Sequence, residues 1–485
     1  MTEATARQAG VAMRWRAIEL VGVKGIYFLR LLVLAQLLAP DAFGLVAIGL
    51  AAIGIVMRVS DLGMVPALVQ RPDPTLEEYN GAWTIGLTRA VAVAVLLGVF
   101  AGPAAALFGE PGAAPIIRVL ALRPVIDAAA SIGVARLTRQ MRFGRLAMIA
   151  MPVAVVDLAV ALGTAHWLGV WALVAGALAG AATNLVLSYV LAPHRVALSF
   201  RFATIAPLVR FGRWILLIGI LVLLRNTVTQ VAVSRLEGVA ALGLYFLAMR
   251  VAFLPADIAS AVVSAVAFPM FAKLRADEAG TARAFRTLLT GQAIVLVPGY
   301  AIMLVLAPAL EGALGENWHG AAPVIQILAI SGVTGLLGEL ALPLLKGRGR
   351  ADRVFKLEVV QAGVLVAVLL PLVVRFGAPG AALAWLTGNV AALVVVIVWL
   401  RTLVPGGLKL EPAPLLTALA AAAAGAAAAA WGAGTLSGMA GLLLGAGLGL
   451  GAAAAVLFAS DRWLELNLWE LANWIRGARR GGGTP

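Results

Sequence analysis

FGEPGAAPIIRVLALR at residues 108–123 and LGENWHGAAPVIQILAIS at 314–331 share the pattern GE…GAAP-[IV]-I-x-[VI]-LA-[LI]. A match of that length is not a chance event even in an Ala-rich chain, so the two stretches mark an internal duplication. Each stands at the head of a long apolar run. Working outward, such runs fall at about 17–38, 43–69, 81–108, 115–135, 146–166 and 170–192. A second set follows at about 207–234, 240–271, 287–310, 321–345, 355–374 and 380–400. The two copies therefore precede the fourth and the tenth run, six apart. An even separation points both halves the same way and relates them by an axis along the membrane normal. AFGLVAI (42–48) and ALGLYFL (241–247), each opening the second run of its half, echo the same relation.

A bilayer-crossing helix takes about 20 apolar residues, and each of these runs is long enough. Of the 485 residues 62% are hydrophobic and 12% charged, against roughly half and a quarter in soluble domains. A soluble enzyme is excluded, and so is a disordered chain. Two Ala/Gly-rich runs near 413–434 and 437–459 bring the expected count to about fourteen. The fold class is an all-α polytopic membrane protein with two six-helix lobes in a pseudo-twofold parallel repeat and a C-terminal helix pair. Residues 1–200 form the first lobe, 201–404 the second and 405–460 the extra pair. Residues 461–485 read as an interfacial amphipathic helix with a basic tail, since Arg462, Glu465, Glu470, Asn473 and Arg476 share one stripe.

The net charge is +14, from 37 Lys and Arg against 23 Asp and Glu. Most of that excess falls in alternate loops: Arg136 to Arg145, Arg195 to Arg213, Lys273 to Arg286, Lys346 to Lys356, and both tails. The opposite loops hold Arg235 and Arg375 and little else. This asymmetry is the positive-inside pattern, with both termini cytoplasmic and no nucleic-acid partner expected. The loop RPDPTLEEYN (71–80) is acidic and departs from it. The chain has no cysteine and three histidines, His166, His194 and His319, all near helix ends. Neither thiol chemistry nor a histidine metal centre is expected. There is no GxxxxGK[ST] phosphate loop, and no cofactor is implied.

LLAPDAFGLVAIG, SDLGMVPALVQR, LGVWALVAG, RFGRWILL, GLYFLAMR, FPMFAKLR and GENWHGAAPVIQILAI resemble, in order, the polysaccharide exporter or O-antigen flippase-like family. That family belongs to the multidrug/oligosaccharidyl-lipid/polysaccharide exporter superfamily, and the resemblance covers about residues 15–400. It implies a two-lobed, V-shaped bundle in the bacterial inner membrane. Such a bundle moves a polyprenyl-diphosphate-linked oligosaccharide, an O-antigen or exopolysaccharide repeat unit, by alternating access. Membrane lipids are implied partners, and a polysaccharide polymerase with its export machinery are further candidates. Where many relatives carry an Asp-Asn pair in the seventh span, this chain has Thr229 and Gln230.

Charge inside the membrane costs about 2.5–3.5 kcal/mol per residue, so each instance needs a reason. The cations in or near spans include Lys24, Arg30, Arg58, Arg89, Arg118, Arg123, Arg225 and Arg250. The acids there are Asp61, Asp127, Asp157, Asp257 and Glu339, with Glu19 near an end. Arg58 and Asp61 are three apart on one helix face and suited to pair. A diphosphate needs a cationic, donor-rich pocket, and the guanidinium fork matches phosphate oxygens bidentately. In the related lipid II flippases, basic residues of spans one, two and eight line a central cavity. The resemblance carries this to Lys24, Arg58 and Arg250, and the chemistry adds Arg225, Arg30 and Arg89 as substrate-binding candidates. Asp61, Asp127, Asp157 and Asp257 are candidates for ion coupling. A cation-coupled drug exporter of the same superfamily is the alternative, disfavoured by the basic lean of these charges. A membrane polymerase or glycosyltransferase would need a large loop or a cytosolic segment with paired carboxylates. Neither is present in the sequence.

Overall fold

In a hydrocarbon layer every backbone N–H and C=O must find its partner inside the protein, and a chain this apolar accordingly folds into helices. The computed structural model describes residues 3–60, 68, 74–194, 197–199, 213–274, 277–403 and 412–464. Their helices run in the order α1 (Glu3–Leu37), α2 (Pro40–Val59), α3 (Leu76–Leu107), α4 (Ala114–Leu120), α5 (Leu122–Ala129), α6 (Gly133–Arg139), α7 (Phe143–Leu168) and α8 (Val170–Leu191). Then follow α9 (Arg213–Ala252), α10 (Leu254–Lys273), α11 (Glu278–Leu314), α12 (Ala321–Gly347), α13 (Ala351–Phe376), α14 (Ala378–Leu403), α15 (Pro412–Thr435) and α16 (Gly438–Leu464).

Among the described residues, eleven helices are long and apolar enough to cross a membrane. Three further crossings complete the expected fourteen: α1, the interrupted α4–α6 segment, and the arm of α9 beyond Gly238 continued by α10. Gly238, at φ 86°, breaks α9 between its two crossings. The amphipathic tail expected at 461–485 lies outside the described residues beyond the end of α16.

The duplication is plainer in the backbone than in the residues. Helices α7 and α13 are each 26 residues long and begin at Phe143 and Ala351, 208 positions apart. Both close on a glycine with positive φ, Gly169 at 54° and Gly377 at 61°, a conformation glycine adopts without steric cost. Each quoted repeat segment contains a single 3₁₀ turn, Pro111–Ala113 and Glu316–Trp318, just before its helix.

The copies diverge immediately afterwards. The second continues as the unbroken α12, whereas the first is interrupted at Ala121 and again around Ala130–Ile132. The backbone groups freed by the second break are taken up by neighbouring helices. Trp83 Nε1 donates to Ala130 O at 3.2 Å and Tyr189 Oη to Ala129 O at 3.1 Å. The Ser131 N–H donates to Ser188 Oγ at 2.9 Å. A single run was expected over 115–135. The break is set by partners on α3 and α8 that a local reading does not include.

The described chain divides into two units, residues 3–38 with 45–216, and 39–44 with 217–464. In the first unit α7 packs on α1 and α8, and α3 packs on α4 and α5. In the second, α15 and α16 pack on each other and on α11 through small residues. A Cβ on Gly432 would lie 2.8 Å from Gly445 Cα, and one on Gly449 would lie 2.9 Å from Ala429 Cβ. Close backbone approach of this kind is how helices associate where hydrophobic burial gives no advantage.

The tightest approach in the second unit joins the two echo segments. A Cβ on Gly243 would lie 1.8 Å from Pro40 O, and one on Gly44 would lie 2.0 Å from Val239 O. Gly44 and Gly243 are the third residues of AFG and ALG, so the duplicated segments meet at their own equivalent glycines. Overpacking at such a site costs about 1–3 kcal/mol. Gly243→Ala is therefore expected to lower the melting temperature in detergent by several degrees. Gly98→Ala, where a Cβ meets nothing within 4 Å, is expected to leave it unchanged or slightly raised. Equal melting of the two variants would refute the close approach.

Candidate functional site

The charges expected inside the membrane resolve into pairs buried within each unit and cations left accessible. In the first unit Arg30 of α1 meets Asp157 of α7, Nε to Oδ1 at 2.9 Å, and Arg30 Nη2 donates to Leu173 O at 3.2 Å. Asp157 is 3% exposed. The sequence makes room for it on α8: a Cβ on Gly176 would lie 2.7 Å from Asp157 Oδ1, and Gly180 faces its Cβ. Close by, Arg123 and Asp127 pair at 3.6 Å one turn apart on α5, and Asn184 bonds the Asp127 carboxylate. Two candidates for different roles, Arg30 for substrate and Asp157 for ion coupling, are thus each other's partner.

In the second unit Arg225 of α9 lies in the wall of a cavity of about 130 Å³, enough for several water molecules. Its Nη1 stands 3.5 Å from Glu358 Oε2, and its guanidinium lies 4.4 Å from the ring centre of Trp385. Arg225 and Glu358 are each 8% exposed. The cavity is also lined by Glu339, Gln361, Thr334 and Asn389. The Gln361 side-chain amide donates to Asn389 Oδ1, and Asn389 Nδ2 donates to Ser331 Oγ at 2.8 Å. Thr229, which stands where relatives carry an acid, is 1% exposed and donates its hydroxyl to Arg225 O at 2.9 Å. That hydroxyl is committed to its own helix.

The remaining candidates are more open. Arg58 sits in the last turn of α2 and is exposed, and Arg250 is exposed with its guanidinium 5.1 Å from the Phe246 ring centre. Lys24 is half-buried on α1. Arg89 of α3 donates from Nη1 to Ser60 O at 3.2 Å, two residues beyond Arg58. Asp257 is exposed in the first turn of α10, and Asp61 lies outside the described residues. Beyond α8, burial and the nearby Arg136 charge hold His194 below its ordinary range. The Ala197 N–H donates to Asn80 Oδ1, which fixes that atom as an acceptor for neutral His194 Nε2 at 3.0 Å.

Sequence reasoning found Arg225 but not its setting. Glu358, near the start of the apolar run at about 355–374, was not among the candidates. Trp385, Gln361 and Asn389 carry no charge to draw attention. The available signal was the excess itself, since a deep arginine implies a deep acid and Glu358 is the nearest one on a neighbouring span.

Residues 33–323, more than half of the chain, match the family model described as polysaccharide biosynthesis protein. The lipopolysaccharide biosynthesis protein WzxC of Escherichia coli (strain K12) is 26% identical over 353 residues, covering 71% of each chain. The succinoglycan biosynthesis transport protein ExoT of Rhizobium meliloti (strain 1021) is 26% identical over 352 residues, covering 72% of this chain and 71% of that one. Among solved structures, the lipid II flippase MurJ in an inward closed conformation superposes with a TM-score of 0.69 at 11% identity, covering 92% of this chain and 98% of that one. At that identity the superposition speaks for the fold alone. The extent of the family match shows that this multi-pass helical chain belongs to the polysaccharide biosynthesis protein family.

Proposed function

We propose that the chain flips a polyprenyl-diphosphate-linked oligosaccharide across the bacterial inner membrane by alternating access, without acting as an enzyme. The observation that carries this reading, beside the family, is the state of its membrane-embedded cations. Arg30 and Arg225 are neutralised by buried acids, while Arg58 and Arg250 stay accessible on crossing helices. An accessible guanidinium in an apolar helix is costly unless it faces water, and a diphosphate supplies the bidentate oxygens it fits. Lys24 adds a point charge on α1. The drug-exporter reading gains nothing from this set, because accessible cations repel cationic drugs. The two relatives named above are themselves a lipopolysaccharide and a succinoglycan biosynthesis protein.

Each charge-assisted hydrogen bond to the diphosphate is worth about 1.5–3 kcal/mol, or roughly ten- to a hundredfold in affinity. Arg58→Ala and Arg250→Ala are expected to weaken binding of a polyprenyl diphosphate by that factor with the melting temperature unchanged. Lys at either position should recover only part, since it keeps the charge and loses the fork. Arg30→Ala should instead lower the melting temperature, because it strands Asp157; orphaning a buried charge costs about 3–5 kcal/mol. Unimpaired binding by both Arg58→Ala and Arg250→Ala would overturn the substrate assignment.

The same reading places both termini in the cytoplasm, as the loop charges require. In the cysteine-free chain, single cysteines at Pro111 and Asn317 are expected to react from outside intact cells with a membrane-impermeant maleimide. Cysteines at Gln140 and Gly349 are expected to stay unlabelled until the cells are opened. The reverse pattern would invert the topology.

A further inference from the structure

The turn between α6 and α7 holds the one positive φ outside glycine among the described residues, Met141 at 54°. Its counterpart in the second copy, 208 positions on, is Gly349 at 73°. The two turns match bond for bond. The Met141 N–H donates to Thr138 O at 3.1 Å and the Arg142 N–H to Leu137 O at 2.9 Å. The Gly349 N–H donates to Lys346 O at 3.0 Å and the Arg350 N–H to Leu345 O at 2.8 Å. Helix ends closed in this way usually carry glycine at the left-handed position, because a Cβ there crowds the following carbonyl. The first copy places a long apolar side chain at that position, and Met141 is 59% exposed. The core beside the turn is built from Leu137, Leu146 and Ala192 with Val134 and Phe143, and Met141 stands outside it.

The surroundings decide what covers it. Between Asp127 and Asp157 the sequence has four arginines and no acid. Of the four, Arg136, Arg142 and Arg145 are exposed. Trp15 of α1 lies against Gly144, where a Cβ would stand 3.5 Å from its indole, and Trp15 is itself exposed. Tryptophan concentrates at the headgroup level of a membrane, and that is also where arginines meet lipid phosphates. Glu19, the acid four residues beyond Trp15, is taken by Arg16 at 2.8 Å. The second turn is as basic but differs in both respects. Gly349 replaces the methionine, and Asp352, standing where the first copy has Gly144, pairs with Arg350 at 3.3 Å. Loop charge is enough to orient the chain, and the second turn supplies it with an unstrained glycine. The strained, exposed methionine answers a further demand.

We propose that this turn is a binding site for an anionic phospholipid of the cytoplasmic leaflet. Met141 enters the boundary between headgroups and acyl chains, and Arg142, Arg145 and Arg136 supply the positive charge for the phosphate. Apolar contact and charge together are what a lipid offers and what surface charge alone does not need. The site is separate from the diphosphate candidates Arg58 and Arg250, and it takes only its side of the membrane from the topology given above.

The test is native mass spectrometry of the full chain purified in detergent, titrated with phosphatidylglycerol or with phosphatidylcholine of the same acyl chains. The wild type is expected to hold a first phosphatidylglycerol with a preference of about tenfold or more over phosphatidylcholine. Arg142→Gln should weaken that site about fivefold, and Arg142→Gln with Arg145→Gln about thirtyfold, since each basic residue near a lipid surface contributes about fivefold. Arg350→Gln, the counterpart in the second turn, should leave the site unchanged. Met141→Gly should weaken it by about fivefold, the loss expected when roughly half a methionine side chain gives up apolar contact. The same variant should melt no lower than wild type without added lipid, because glycine relieves the turn. Equal affinity for the two lipids would overturn the proposal. So would arginine dependence without Met141 dependence, which is surface charge alone, or an effect of Arg350→Gln equal to that of Arg142→Gln. A Met141→Gly chain that melts several degrees lower would overturn it too, since the residue would then serve the fold. Purified chain in detergent needs neither orientation nor substrate, so these outcomes are separable from failure of diphosphate binding at Arg58 and Arg250.

Discussion

The constraint on which the structure depends is that a hydrocarbon interior leaves no polar group unattended. It acts first on the backbone, which is why nearly every described residue is helical, and then wherever a helix stops. At the break after Ala129 the chain supplies an indole N–H, a phenol and a serine hydroxyl to the exposed backbone groups. The same demand falls on charges. Arg30 is matched by Asp157 and Arg225 by Glu358, and the glycines opposite Asp157 exist in space that a methyl group would need. Neither pair is a source of stability in itself, since desolvating two ions offsets most of their attraction. Each does make the loss of one partner severe, which ties helices of one unit to a single arrangement.

Much of this was legible in the residues, for reasons that are physical. A crossing helix announces itself because about 20 consecutive apolar residues have no other use, and α2, α3, α7, α8 and α11 to α16 lie where the runs predict. The duplication was legible at GE…GAAP because a turn into a helix needs particular residues, and it continues in the matched lengths of α7 and α13. The break around Ala130 was not legible, since Ala121 and Ala130 are no helix breakers and the stabilising side chains come from α3 and α8. The pairings were only half legible. Arg30 and Arg225 stood out as charges inside apolar runs and read as substrate-binding candidates; their partners Asp157 and Glu358 lie far along the chain, and only packing selects them.

The candidate site divides accordingly. Lys24, Arg58 and Arg250 were singled out together, and the structure leaves Arg58 and Arg250 exposed and Lys24 half-buried. Arg30 and Arg225 were grouped with them on charge alone. Burial separates them, because a guanidinium held beside a buried carboxylate has its charge offset there. Charge composition singled out the candidates, and exposure separates them.

The register of the pairs carries the argument a step further. With α7 and α13 offset by 208 positions, Asp157 corresponds to Leu365 and Glu358 to Ala150. The echo at Gly44 and Gly243 sets Arg30 opposite Thr229 in the same way. Both halves thus join their first and fifth crossings through an arginine and an acid, yet at different depths and with different residues. The two pairs do not stand at the same register, so neither is a copy of the other. Among the described residues the pair of the second copy lines a polar cavity. The helices kept the duplicated geometry because hydrocarbon leaves the backbone little choice. The charges, free of that restriction, differ in residue and register between the two halves.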